Sequence, residues 1–122
     1  MIQGIVQDLE PLVRIKVHGK GGRVKEIVAL VDTGYTSFLS LPPAIVASLG
    51  LTWDDANKGT LADGSECIFD VYQATVVWDG KPVRVFVDEL DGEPLLGMGL
   101  LNGYELRVEG RPRGKVTIKR LR

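Results

Sequence analysis

The chain has 122 residues, a length that suits one domain. Apolar residues make up 44% and charged residues 25%, close to the globular average, and 15 Lys and Arg against 16 Asp and Glu leave a net charge of -1. That balance gives no general attraction to nucleic acid or an anionic membrane. One Cys (Cys67) and one His (His18) exclude both an intrachain disulfide framework and a zinc site made of His and Cys alone.

The first residues, MIQGIVQDLEP, lack the basic and apolar regions of a signal peptide, and no apolar run approaches the roughly 18 residues of a membrane helix. A cytoplasmic protein with a single domain over residues 1–122 is expected. Val13, Ile15 and Val17 alternate with Arg14, Lys16 and His18, the period of a half-buried strand. Gly19, Gly21 and Gly22 predict a hairpin turn, with a return strand from about Val24 into the run 27–31, apolar enough for burial on both faces. Asp32-Thr33-Gly34 follows at once. Pro42 and Pro43 open a short helix that Gly50 closes. A second hairpin spans Val71 to Asp88, with alternation on both arms and its turn at Asp79-Gly80. Leu95-Leu96-Gly97 is a further apolar run ending in glycine, followed by a helical turn in Met98 to Asn102, and Lys115 to Ile118 reads as the last strand. The order of hairpin, apolar run ending in glycine and short helix thus occurs twice, at 12–50 and 71–102. It places Asp32-Thr33-Gly34 and Leu95-Leu96-Gly97 at equivalent points about a local pseudo-twofold axis.

Asp32 is the leading candidate for chemistry, because a carboxylate at the end of a buried strand beside a glycine is more than a solvated turn residue. Three segments, residues 30–42 (LVDTGYTSFLSLP), Leu61-Ala62-Asp63-Gly64-Ser65 and Glu93-Pro94-Leu95-Leu96-Gly97-Met98, together resemble the retroviral-type aspartic proteases, in particular the small bacterial and archaeal retropepsin-like proteins. The resemblance covers roughly residues 1 to 118. It implies an all-β, single-lobed closed barrel with one or two short helices, active as a symmetric homodimer. It also implies an aspartic endopeptidase acting on peptide or unfolded-protein substrates, with no cofactor, no metal, and neither nucleic acid nor membrane as partner.

In that resemblance Asp32 is catalytic, Thr33 and Gly34 support the active-site loop, and Leu96 and Gly97 pack behind it. Ala62, Asp63, Gly64 and Ser65 match the flap that closes on an extended peptide, although A-D-G-S is also an ordinary turn. Peptide hydrolysis by carboxylates needs two of them sharing one proton, as is known for aspartic proteases as a class. Only one Asp-Thr-Gly is present, and the Asp-Gly pairs at 63-64, 79-80 and 91-92 sit in expected turns. Asp32 of a second copy is therefore expected to supply the other carboxyl. The terminal strand is expected to interleave into the dimer sheet through Val116 and Ile118.

Pepsin-like relatives carry Ser or Thr after Asp-Thr-Gly, bonded to the carboxylate. Here Tyr35 holds that position, with its hydroxyl too distant to serve locally, so a milder pH optimum is expected. Trp53, Trp78 and Phe86 read as core or pocket walls, and Cys67 as a small strand residue. Gly97-Met98-Gly99 with Gly103 imitates a dinucleotide fingerprint but has too little chain after it. The alternative function is a dimeric module on the same fold that binds a peptide or protein without cutting it.

Overall fold

The computed structural model describes residues 1–122. The strands are β1 (Ile2–Gln7), β2 (Glu10–His18), β3 (Val24–Val31), β4 (Leu39–Leu41), β5 (Thr52–Thr60), β6 (Glu66–Trp78), β7 (Lys81–Glu89), β8 (Leu95–Leu96), β9 (Tyr104–Val108) and β10 (Lys115–Arg120). Two short helices, α1 (Pro43–Leu49) and α2 (Met98–Leu101), follow β4 and β8. All ten strands belong to one sheet in the order β5-β6-β7-β4-β8-β3-β2-β1-β10-β9, and β6 also pairs with β2, which folds the sheet back on itself. β2 manages both neighbours on one edge because residues 10–13 pair with β1 while residues 16–18 pair with β6.

The predicted hairpins form for the predicted reasons. Asp79 and Gly80 both have positive φ (50° and 78°), the two-residue turn whose twist matches that of the strands. Gly50 ends α1 in the left-handed region and returns its N–H to the carbonyls of Val46 and Ala47. Inward residues alternate along the strands: Val13, Ile15 and Val17 on β2, Val76 and Trp78 on β6, Val85 and Val87 on β7 are all buried in one core. Trp78 packs edge-on against Tyr104, ring centroids 5.6 Å apart.

The internal repeat of the sequence is a repeat of structure. β3 lies parallel to β8, β7 lies parallel to β4, and β4 and β8 form an antiparallel pair between them. Each half thus hands its short strand to the hairpin of the other half.

Three sequence expectations need correction. The run 27–31 is not buried on both faces: Ile27, Ala29 and Val31 face the core while Val28 is about half exposed, since no second layer covers that side of β3. Trp53 is neither core nor pocket wall; it lies exposed on β5, with its indole N–H donating to Asp70 Oδ1 at 3.0 Å. Phe86, by contrast, is a pocket wall as expected: it is 46% exposed and lines a surface groove with Phe38. Val116 and Ile118 are not free for an intersubunit sheet. β10 sits between β1 and β9 with both edges paired, and both side chains are fully buried in the chain's own core. Tyr104–Val108, in which Tyr104, Leu106 and Val108 alternate with Glu105 and Arg107, supplies β9 and so occupies the edge of β10 that a partner strand would need.

Ile118→Ala should therefore destabilise the protomer itself by about 2–5 kcal/mol, the usual cost of emptying a closed apolar site. Urea unfolding measures it, and a loss below about 1 kcal/mol would mean that β10 packs elsewhere.

Candidate active site

Asp32 leaves the end of β3 beside the end of β8. Leu30 registers with Leu95 and Val31 with Leu96, so the next step of the parallel ladder sets Asp32 alongside Gly97. Backbone bonds lace the two ends: Asp32 N–H donates to Leu96 O at 2.9 Å and Leu30 N–H to Pro94 O at 2.9 Å. The turn that follows is bound to the start of α2, with Gly97 N–H donating to Phe38 O (3.0 Å), Met98 N–H to Tyr35 O (2.7 Å) and Gly99 N–H to Ser37 O (3.0 Å). Leu95 N–H donates to Ser40 Oγ at 3.1 Å, which accounts for a fully buried serine on β4.

Gly97 is required by space. A Cβ there would lie 2.6 Å from Tyr35 O and closer still to Ser37 O, both backbone atoms that cannot step aside. Its φ of -103° is one that any residue adopts, so crowding alone selects glycine. Gly34 answers to the carboxylate instead. Its N–H donates to Asp32 Oδ1 at 2.9 Å, and a Cβ would approach that same oxygen to 3.3 Å.

The Asp32 side chain is half-buried, while Thr33 and Gly34 are exposed at the surface. Of the residues expected at the site, the structure brings Asp32, Thr33, Gly34, Leu96 and Gly97 together. Ala62, Asp63, Gly64 and Ser65 form the tip of the β5–β6 hairpin, and no hydrogen bond ties them to the Asp32 turn. That tip is well built: Leu61 N–H donates to Ser65 O (2.7 Å), Gly64 has φ +87°, and Asp63 Oδ1 accepts from both the N–H (2.8 Å) and the hydroxyl (2.5 Å) of Ser65. The Ser65 bonds hold the Asp63 carboxyl below its ordinary range.

Glu10 falls opposite Asp32 when the β2–β3 register is continued past Leu12 and Leu30. Desolvation, then the neighbouring charge and hydrogen bond of Glu93, hold its carboxyl above the usual value. No group of three or more His, Cys, Asp or Glu side chains comes close enough to hold a metal ion. No helix is long and apolar enough to cross a membrane.

Tyr35 and Asp88 are the pair that sequence reasoning missed. The phenol O–H donates to Asp88 Oδ2 at 2.5 Å across 53 positions, and Asp88 is buried on β7. Nothing at either position flags the other; only the bulk of Tyr35 where pepsin-like relatives carry Ser or Thr marks it as unusual.

Two solved structures share this arrangement of strands. A retropepsin-like aspartic protease from Rickettsia conorii superposes with a TM-score of 0.62 at 18% identity, over 98% of this chain and 89% of that one. The fold is retropepsin-like. The EIAV protease in complex with the inhibitor HBY-793 superposes with a TM-score of 0.55 at 18% identity, over 80% of this chain and 91% of that one. By sequence, no family model and no curated protein matches. At this identity the likeness is one of backbone fold; within this chain it is the parallel β3–β8 pairing that sets Asp32 beside Gly97.

Burial raises the Tyr35 phenol well above the ordinary tyrosine value, and the bond to Asp88 and its negative charge raise it further. A raised folded value means the folded state keeps a proton that the unfolded chain has lost. The linked stability is complete below about pH 10, the unperturbed tyrosine value, and falls as pH rises beyond it. In urea unfolding from pH 9 to 11, wild type should lose stability more steeply than Tyr35→Phe, by one proton's linkage. Equal slopes would contradict the buried phenol.

Proposed function

We propose that the chain is an aspartic endopeptidase, a single domain whose site is completed by Asp32 of a second copy across a twofold axis. The observation that carries this is the Asp32 turn. A half-buried carboxylate is held by its own loop's N–H, on a retropepsin-like backbone, next to exposed Thr33 and Gly34 that are open to a symmetric mate. One Asp-Thr-Gly in the chain makes half a catalytic pair.

Two Asp32 carboxyls in contact hold one proton between them, because like charges that close resist double ionisation. The ionised carboxylate takes a proton from a water lying between the pair, and the water oxygen attacks the peptide carbon. The protonated carboxyl gives its proton to the carbonyl oxygen. Collapse of the tetrahedral diol then breaks the C–N bond as one carboxyl gives its proton to the departing nitrogen. The other carboxylate takes a hydroxyl proton from the diol, which restores the shared proton. Neither metal nor cofactor enters these steps.

Thr33, beside the axis, would bond to the mate's backbone and fix both turns. The β5–β6 tip, Ala62 to Ser65 with Gly64 in the left-handed region, would serve as the flap that donates backbone hydrogen bonds to an extended peptide and excludes water. The substrate class is a peptide or unfolded protein, and the compartment the cytoplasm. Because β10 is consumed within the protomer, the two copies would meet through the Asp32 face rather than through interleaved termini.

Asp32→Asn tests the reading. The variant should keep wild-type circular dichroism and sedimentation while peptide hydrolysis falls at least about 10³-fold, the order expected when an essential acid-base group is lost. Undiminished cleavage by the clean variant would refute the mechanism. Saturable peptide binding by wild type with no cleavage at any pH would assign the cleft to a non-catalytic binding module.

A further inference from the structure

Tyr35 stands directly after Asp32-Thr33-Gly34, yet its side chain leaves that turn for the other half of the barrel. Its hydroxyl ends on Asp88 of β7, a carboxylate only 6% exposed. Asp88 is registered with Ser40 of β4 on one side and with Val71 of β6 on the other. From Val71, β6 runs back without interruption to Glu66 at the foot of the Ala62–Ser65 turn. A cavity of about 250 Å³ lies along this seam, walled by Ser37 from the Asp32 turn, by Val71, Phe86 and Asp88, and by Asp54 and Asp55 of β5. The hydrogen bond adds a side-chain tie from the turn to β7 beside the backbone pairing of β4 with β7, next to this cavity.

Both ends of the residue are held. The Tyr35 carbonyl accepts from Met98 N–H, its own N–H donates to Asp32 O at 3.1 Å, and its hydroxyl is tied to β7. A buried carboxylate is costly without a donor, and a phenol is a donor on a long, rigid arm with few rotors. Ser or Ala at position 35 could not bridge the distance to β7.

We propose that Tyr35 is a positioning residue for hydrolysis, its hydroxyl latched to Asp88 so that the Asp32 turn is held in fixed relation to the β5–β6 hairpin. The proposal rests on the reading of Asp32 as the water-activating group. Tyr35 acts through geometry alone, and displacement of a reacting group by about 1 Å is enough to cost on the order of 10²-fold in rate.

The full-length wild type is compared with Tyr35→Phe, Asp88→Asn and the double variant Tyr35→Phe/Asp88→Leu, each under conditions where urea unfolding shows it fully folded. Turnover of a peptide substrate and affinity for a statine-type peptide inhibitor are measured. Tyr35→Phe should lose roughly tenfold or more in kcat with KM within about twofold. Asp88→Asn, whose amide oxygen still accepts the phenol proton, should keep at least about a third of wild-type kcat. The double variant removes both partners and leaves no orphaned charge, so it should regain stability lost by Tyr35→Phe while its kcat stays low. Wild-type kcat in folded Tyr35→Phe or in the double variant overturns the latch, as does an equal loss in Asp88→Asn, which would assign the effect to charge. A wild type that neither cleaves peptide nor binds the inhibitor overturns the reading of Asp32 together with the latch. An active wild type beside an unimpaired Tyr35→Phe overturns the latch alone.

Discussion

The structure depends on two strand ends that meet in register. β3 and β8 come from different halves of the chain, and the bond from Asp32 N–H to Leu96 O fixes where β3 stops and the carboxylate begins. Everything near the site is arranged to allow that meeting. Gly97 has no side chain because the carbonyls of Tyr35 and Ser37 fill the space where one would go, and Ser40 turns its hydroxyl inward to satisfy Leu95. Parallel strands two or three residues long would be weak alone. They persist because β4 and β8 are clamped between β7 and β3, with Leu39, Leu41 and Leu96 fully buried behind them.

A second constraint follows from how the chain uses its ends. β1 and β10 pair with each other, and β9 covers the far edge of β10. The protomer thus closes its own terminal sheet. On the proposed reading, a twofold partner would be met by the face that bears Thr33 and Gly34, which is exposed. This separates folding from completion of the proposed site: the barrel is built by one chain, while a second carboxyl would come by association. Tyr35 fits the same division, since its bond to Asp88 stiffens the turn from within the protomer and requires nothing from a mate.

Much of this architecture was legible in the residues. Period-2 patterns, the Asp79-Gly80 turn and the Pro43-to-Gly50 helix announced both hairpins and α1, and the doubled order of elements announced the pseudo-symmetry. What escaped notice has identifiable causes. β5 reads TWDDANKGT and is exposed almost throughout, so it has no buried face to leave an alternation. The β1–β2 turn uses Asp8 and Leu9 at positive φ, where glycine or asparagine would have marked it, and Leu9 stands almost wholly in solvent. Val28 looked like core by composition, and only the missing second layer leaves it half open. At the site, Asp32, Gly34 and Gly97 were legible because local chemistry restricts them. The Tyr35–Asp88 bond was not, because a contact between positions 53 apart is a property of the fold and leaves no local pattern.

The account stands on two Asp32 carboxyls sharing a proton. The direct measurement is the separation of those groups in a crystal structure of the assembled protein, with sedimentation at matching concentration to establish that the assembly exists in solution. Carboxyl oxygens of the two copies within about 3 Å, across a twofold axis with a water between them, are the expected result. A protein that sediments as a monomer even with bound peptide, or a dimer whose Asp32 groups point away from each other, would contradict it.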